Sequence, residues 1–155
     1  MTLILIRHAH RDTTQREQDN GLSPKGKKQA KALLGYFKKR FGRKSADLVL
    51  MSSPKKRCVE TLTPIARYLR DKILVSNSLT EQGPGESAAD LAKRCRGFVA
   101  ELGKGRHKTL IACSHGDWIP LVLEELCTVR MMPKKASWIE IEDGTLVRIL
   151  EPEDL

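Results

Sequence analysis

Short apolar runs of strand length alternate along this chain with helical stripes, and few folds can absorb that order. Thr2–Ile6, Asp47–Met51 and Thr109–Cys113 are nearly continuous apolar runs, and Ile73–Val75 is a weaker one. Such runs fit strands buried on both faces, since a half-exposed strand alternates apolar and polar residues. Between them lie stripes with helical spacing. Ala30, Leu33, Leu34, Phe37 and Phe41 form one face, opened by Ser23-Pro24 and stopped by Gly42. Serine caps free N–H groups, proline at the first helical position needs none, and glycine tolerates the reversal that ends a helix. Ser53-Pro54 repeats the opening signal before Cys58, Leu62, Ile65, Ala66 and Leu69; Pro64 inside that stripe predicts a kink or a restart. Further helices are predicted over about Glu86 to Leu102, after the loop Gly83-Pro84-Gly85, and over Asp117–Cys127.

The last stretch reads differently. Two alternating flanks, Trp138–Glu142 and Thr145–Leu150, enclose Asp143-Gly144, a dipeptide suited to the positive φ angles of a type I′ hairpin turn. Strand–helix units followed by a hairpin predict an α/β fold. The expected form is a three-layer sandwich: a mainly parallel central sheet, helices on both faces and an antiparallel C-terminal hairpin. At 155 residues the chain is expected to form a single domain, 1–155.

Composition narrows the setting. No apolar run approaches the roughly 20 residues that span a bilayer. Leu3–Ile6 has no basic segment before it and Arg7 directly after it, so it does not read as a secretory signal. Cys58, Cys95, Cys113 and Cys127 form no C-x-x-C pair and sit in or near apolar stripes. Reduced thiols in a cytoplasmic protein are the expected reading. Net charge is +9, and residues 24–72 hold 15 of the 28 Lys and Arg against only Asp47, Glu60 and Asp71. A basic half marks an anionic partner: a phosphate ester, an acidic protein surface or nucleic acid. With 5% aromatic residues and no nucleic-acid motif, the last is disfavoured. The Lys38-to-Lys44 cluster is expected to be a solvated helix end.

In an α/β sheet, functional groups collect at the carboxyl ends of the strands. Arg7-His8 follows the first strand, Arg57 lies in the first turn after the second strand's loop, and Ser114-His115-Gly116 follows the fourth. Two guanidinium groups can neutralise a phosphate dianion and bind its oxygens in pairs. A neutral imidazole can attack phosphorus, provided an acceptor fixes its other nitrogen. A second histidine, if charged, can stabilise the transferring oxygens.

These residues carry a resemblance. Leu5-Ile-Arg-His-Ala9 resembles the Arg-His-Gly signature of the histidine phosphatase superfamily, which includes the phosphoglycerate mutases. Leu22-Ser-x-x-Gly26-x-x-Gln29-Ala30, Ser52-Ser-Pro-x-x-Arg57-x-x-x-Thr61, Gly85-Glu86-Ser87 with Asp90 and Arg94, and Ser114-His115-Gly116 are similar to its later motifs, in order. The resemblance implies that His8 is phosphorylated, that Arg7, Arg57 and His115 line the phosphate pocket, and that Glu81 donates the proton, with Glu86 its rival. It also implies no metal and no other cofactor. Ala9 stands in place of the usual glycine, as in small phosphohistidine phosphatase-like members. His10 and Arg11 would add cations at the mouth if they point inward. The stretch from Val75 to Gly83 is too short for the insertions that cover substrate in larger members. The implied activity is therefore hydrolysis of a phosphomonoester or a protein phosphohistidine, through a phosphohistidine intermediate, by a monomer acting on a phosphorylated small molecule or phosphoprotein. The alternatives are a mutase-like phosphotransferase, which needs a closed site, and a non-catalytic binder of phosphate or nucleic acid.

Overall fold

The computed structural model describes residues 1–43 and 47–155; Lys44, the last of the predicted basic cluster, lies outside them. Four strands, β1 (Thr2–Arg7), β2 (Leu48–Ser52), β3 (Ile73–Val75) and β4 (Thr109–Ser114), run parallel. Two more, β5 (Trp138–Glu142) and β6 (Thr145–Leu150), add antiparallel beside β1, giving the order β3-β2-β4-β1-β5-β6. The apolar run of β1 is continuous because both of its faces are covered. Ile4 and Ile6 pack with α1 (Pro24–Phe41) and α2 (Lys56–Leu69); Leu3 and Leu5 pack with α3 (Ala88–Glu101) and α4 (Trp118–Cys127).

Crossover handedness explains the two layers. The steps β1 to β2 and β2 to β3 move in one direction along the sheet, so right-handed connections put α1 and α2 on the same face. The step β3 to β4 reverses direction, and α3 falls on the other face.

Local signals set most boundaries. Ser23 caps α1 through Gly26 N, and Gly42 ends it. Asp143 and Gly144 take φ of 46° and 79°, as the hairpin turn requires. Ser87 and Asp90 cap α3 reciprocally, so that helix starts after Glu86 rather than at it. Ser53-Pro54 does not open α2; Lys55 is its N-cap, and the Ser53 hydroxyl is shared between Lys55 N at 3.3 Å and His115 Nε2 at 2.8 Å. α2 also runs through Pro64 without a restart.

One further expectation changes. Glu140 is 1% exposed, and Arg40 reaches it from α1 with Nε and Nη2 at 3.1 and 2.7 Å. Arg40 therefore leaves the solvated cluster. Cys58, Cys95 and Cys113 are buried, Cys127 is half-buried, and all four are free thiols. Among the described residues no helix is long and apolar enough to cross a membrane.

Candidate active site

Neighbouring strands β1 and β4 send the chain to opposite layers, which opens a crevice at their carboxyl ends. Their register pairs Arg7 with Ser114, so His8 and His115 emerge side by side with ring centroids 5.4 Å apart. β2 lies next to β4, and the loop after it swings the start of α2 over both rings. There Arg57, only 3% exposed, spans the site. Its Nε lies 3.3 Å from His8 Nε2, and its Nη2 lies 3.3 Å from His115 Nδ1 and 2.7 Å from Glu81 Oε2.

The residues between these groups hold them in place. Thr61, one turn after Arg57, donates its hydroxyl to the Arg57 carbonyl at 2.7 Å and accepts from Ala9 N at 3.0 Å. One side chain thus fastens α2 to the segment carrying His8. Gly26 packs against the backbone of His10 so closely that a Cβ would overlap the His10 carbonyl oxygen. Gln29 Oε1 accepts from His10 N at 2.8 Å, and Ser23 N donates to His10 O at 3.0 Å. The start of α1 is a socket for the chain just beyond His8. At Gly116 a Cβ would stand 2.7 Å from Arg7 Cζ, so glycine lets the Arg7 guanidinium lie flat there. Arg7 Nη1 donates to Pro133 O at 2.7 Å, while its buried Nε has no partner.

Burial decides the charge of the two rings. It pulls His8 down to about 4, with Arg57, Arg7 and Lys135 adding repulsion. Neutral His8 places its proton on Nδ1, which donates to Ala9 O at 2.8 Å, and leaves the Nε2 lone pair facing Arg57. Burial and then Arg57 pull His115 down to about 3. Its Nδ1 faces an obligate donor, Arg57 Nη2, so the proton belongs on Nε2, 2.8 Å from Ser53 Oγ. In this state His115 is neutral rather than cationic.

The two candidate carboxylates are separated by their partners. Glu81 is half-buried, 2.7 Å from Arg57 and 3.7 Å from His115 Nδ1. Burial pushes its pKa up, but the hydrogen bond and charge of Arg57, with His115 and Lys55, outweigh this and hold it below the usual range. Glu86 points elsewhere. Arg94 grips it at 2.9 Å through both Nε and Nη2, Gly83 N donates to it, and its pKa is pulled down to about 2. Arg94 also donates to the carbonyls of Ser78, Thr80 and Glu81. Glu86 and Arg94 therefore shape the loop that presents Glu81.

The superfamily's sequence model, histidine phosphatase superfamily (branch 1), matches residues 3–85 and 76–154. The chain belongs to this superfamily. Solved structures share its fold. Mycobacterial glucosyl-3-phosphoglycerate phosphatase Rv2419c, complexed with inorganic phosphate, is 20% identical over 98% of both chains, with a TM-score of 0.74. Phosphoserine phosphatase from Entamoeba histolytica is 19% identical over 99% of this chain and 98% of that one, with a TM-score of 0.73. The protein histidine phosphatase SixA is 15% identical over 98% of this chain and 97% of that one, with a TM-score of 0.74. Comparison with curated protein sequences gave no match.

Other members of the site leave no clear mark in this superfamily chain's sequence. Asp19, from the loop before α1, reaches Arg57 Nη1 at 3.5 Å and also accepts from Lys56 N. Lys135 lies near enough to add to the repulsion on His8. Neither falls in a motif, and only the folded chain brings them near. His10 does not add a cation: burial, Lys135 and Lys25 keep it neutral, and its Nδ1 contacts Ser23 Oγ at 2.8 Å. Arg11 Nη2 turns to the Arg16 carbonyl. Beside Glu81 opens a cleft of about 970 Å³ lined by Lys55, Asn77, Gln82 and Asp117. Among the described residues no group of three or more His, Cys, Asp or Glu side chains is placed to hold a metal ion.

Proposed function

We propose that this chain is a phosphatase that hydrolyses a phosphomonoester or a protein phosphohistidine through a covalent phosphohistidine on His8. The observation that carries the reading is a neutral His8 whose Nδ1 is locked to Ala9 O, leaving Nε2 as a lone-pair donor at the centre of a cationic pocket. In the first step His8 Nε2 bonds to phosphorus as the bond to the leaving group breaks. Protonated Glu81 gives its proton to the departing atom. In the second step water attacks phosphorus, the N–P bond breaks, and Glu81 takes the water's proton. Arg7 and Arg57 hold the nonbridging oxygens throughout, and the free Arg7 Nε–H suits one of them. A bound dianion favours a second proton on His115, and that proton, on Nδ1, supplies the further donor that the transferring group needs.

Charge exchange supports Glu81 as the acid. In the empty site Arg57 pairs with Glu81. A phosphate dianion competes for Arg57 and brings its own negative charge, and both effects raise the affinity of Glu81 for a proton. Substrate binding thus arms the donor. The open cleft beside Glu81 favours a phosphate displayed on a protein, or an uncovered small ester, over the closed site a mutase requires.

Hydrolysis of an aryl phosphate in EDTA, wild type against His8→Ala, tests the reading. Wild type is expected to turn over and the variant to lose at least about a thousandfold. A variant retaining a tenth of the rate, or wild-type activity that appears only with added divalent metal, overturns it.

A further inference from the structure

A second cleft, about 540 Å³, lies beyond His10 and has no lining residue in common with the one at Glu81; Lys25, Lys134, Lys135 and Glu153 line it. Its cations are unevenly served. Lys134 pairs with Glu151 and, at 3.1 Å, with Glu153. Among the described residues Lys25 and Lys135 form no ion pair. Half-buried Lys135 is crowded by like charge instead: burial lowers its pKa first, and Arg7, Arg11, Lys25 and Arg57 lower it further. A built turn keeps it there. Ala136, fully buried, takes φ of 63° and donates its N–H to Arg7 O at 2.9 Å. A non-glycine residue in that left-handed conformation is strained, and such strain collects where position matters.

Resting on the phosphoryl-pocket reading above, we infer that this cleft is a second anion subsite, taking a carboxylate or phosphate of a substrate whose scissile phosphate lies on Arg7 and Arg57. Lys135 lines this cleft beside His10, and the residue after it, Ala136, is tied to Arg7 O, which joins the cleft to the phosphoryl pocket. Lys25 lines it too. Glu153 is the internal counter-ion that an incoming anion must outcompete. A molecule with two anionic groups would engage both pockets at once, and the second contact then works at high effective concentration.

Titration calorimetry with alkane bisphosphonates and monophosphonates of matched chain length tests this without turnover. Wild type is expected to bind the best bisphosphonate about tenfold or more tighter than its monophosphonate partner. Lys135→Gln and the exposed Lys25→Gln should shrink that preference to about threefold or less, and Glu153→Gln should widen it, each with a retained thermal transition. A phosphopeptide pair with aspartate or asparagine beside the phosphorylated residue separates the sources: preference for aspartate assigns the second anion to a protein substrate, and bisphosphonate preference alone assigns it to a small molecule. Equal binding of mono- and bisphosphonates, or a preference untouched by the lysine substitutions, sinks the subsite and spares the phosphatase reading. Failure to bind either class sinks both.

Discussion

Neutral imidazoles set the behaviour of individual residues. With burial holding His8 at about 4 and His115 at about 3, neither should titrate near the ordinary 6.5. Imidazole NMR titration of the free protein should put the His8 midpoint near 4, and saturating phosphate should move the His115 midpoint upward, because a bound dianion favours the charged ring. A His8 midpoint near 6.5 would contradict the buried-nucleophile account. Glu81 gives a second prediction at this scale. Glu81→Gln should slow a substrate with a poor alkyl leaving group by about a hundredfold or more. It should slow an activated aryl phosphate far less, since that leaving group departs without a proton. Equal losses on the two substrates would remove the acid role. Arg7, His8, Arg57 and His115 were legible because short motifs place them at strand ends. Glu81 was legible only through the family resemblance. Asp19 and Lys135 were not, because loops far apart in sequence deliver them.

At the scale of elements, contacts between them rather than propensity explain the motifs. Gly26→Ala adds a methyl group where the His10 carbonyl already sits. Either α1 or the chain beyond His8 must shift, at a cost of about 1–3 kcal/mol in urea unfolding and with a raised KM for aryl phosphate. Unchanged stability and KM would show that this contact positions nothing. The Arg40–Glu140 pair joins α1 to β5. Arg40→Met leaves a buried carboxylate whose other oxygen already has no hydrogen bond. The loss should be about 3 kcal/mol, and adding Glu140→Met should recover most of it. Helix and strand positions were readable because apolar spacing reports burial. Ser53-Pro54 differs for a physical reason: its hydroxyl takes both Lys55 N and His115, and the helix opens two residues later. Arg40 left the expected solvated cluster for a related reason, since a basic run cannot show that a buried carboxylate waits for one of its members.

For the whole molecule, the predicted layer order held because handedness and a mainly parallel sheet leave little choice. What pattern could not supply was the exact neighbour of each strand, and it is the adjacency of β1 and β4 that makes the crevice. Stability should carry the mark of the site. His8 and His115 have folded values below the unfolded 6.5, so the unfolded chain binds protons first. Their contribution is complete above pH 6.5 and is lost as pH falls toward 4 and 3. Below about 4.5, Glu86 adds a loss of the same sign. The urea midpoint should therefore decline between pH 6.5 and 4.5, before the carboxylates titrate. His115→Gln should flatten that interval; an unchanged slope would show that the buried rings do not drive it. Everything proposed here turns on a phosphoryl group carried on His8 Nε2, and alkaline quenching of the enzyme during aryl phosphate turnover, followed by peptide mass spectrometry, looks for it. An acid-labile, alkali-stable phosphoryl adduct is expected on the His8 peptide and is expected to be absent from His8→Ala. Turnover with no adduct on that peptide, or an adduct on another residue that persists in His8→Ala, would contradict it.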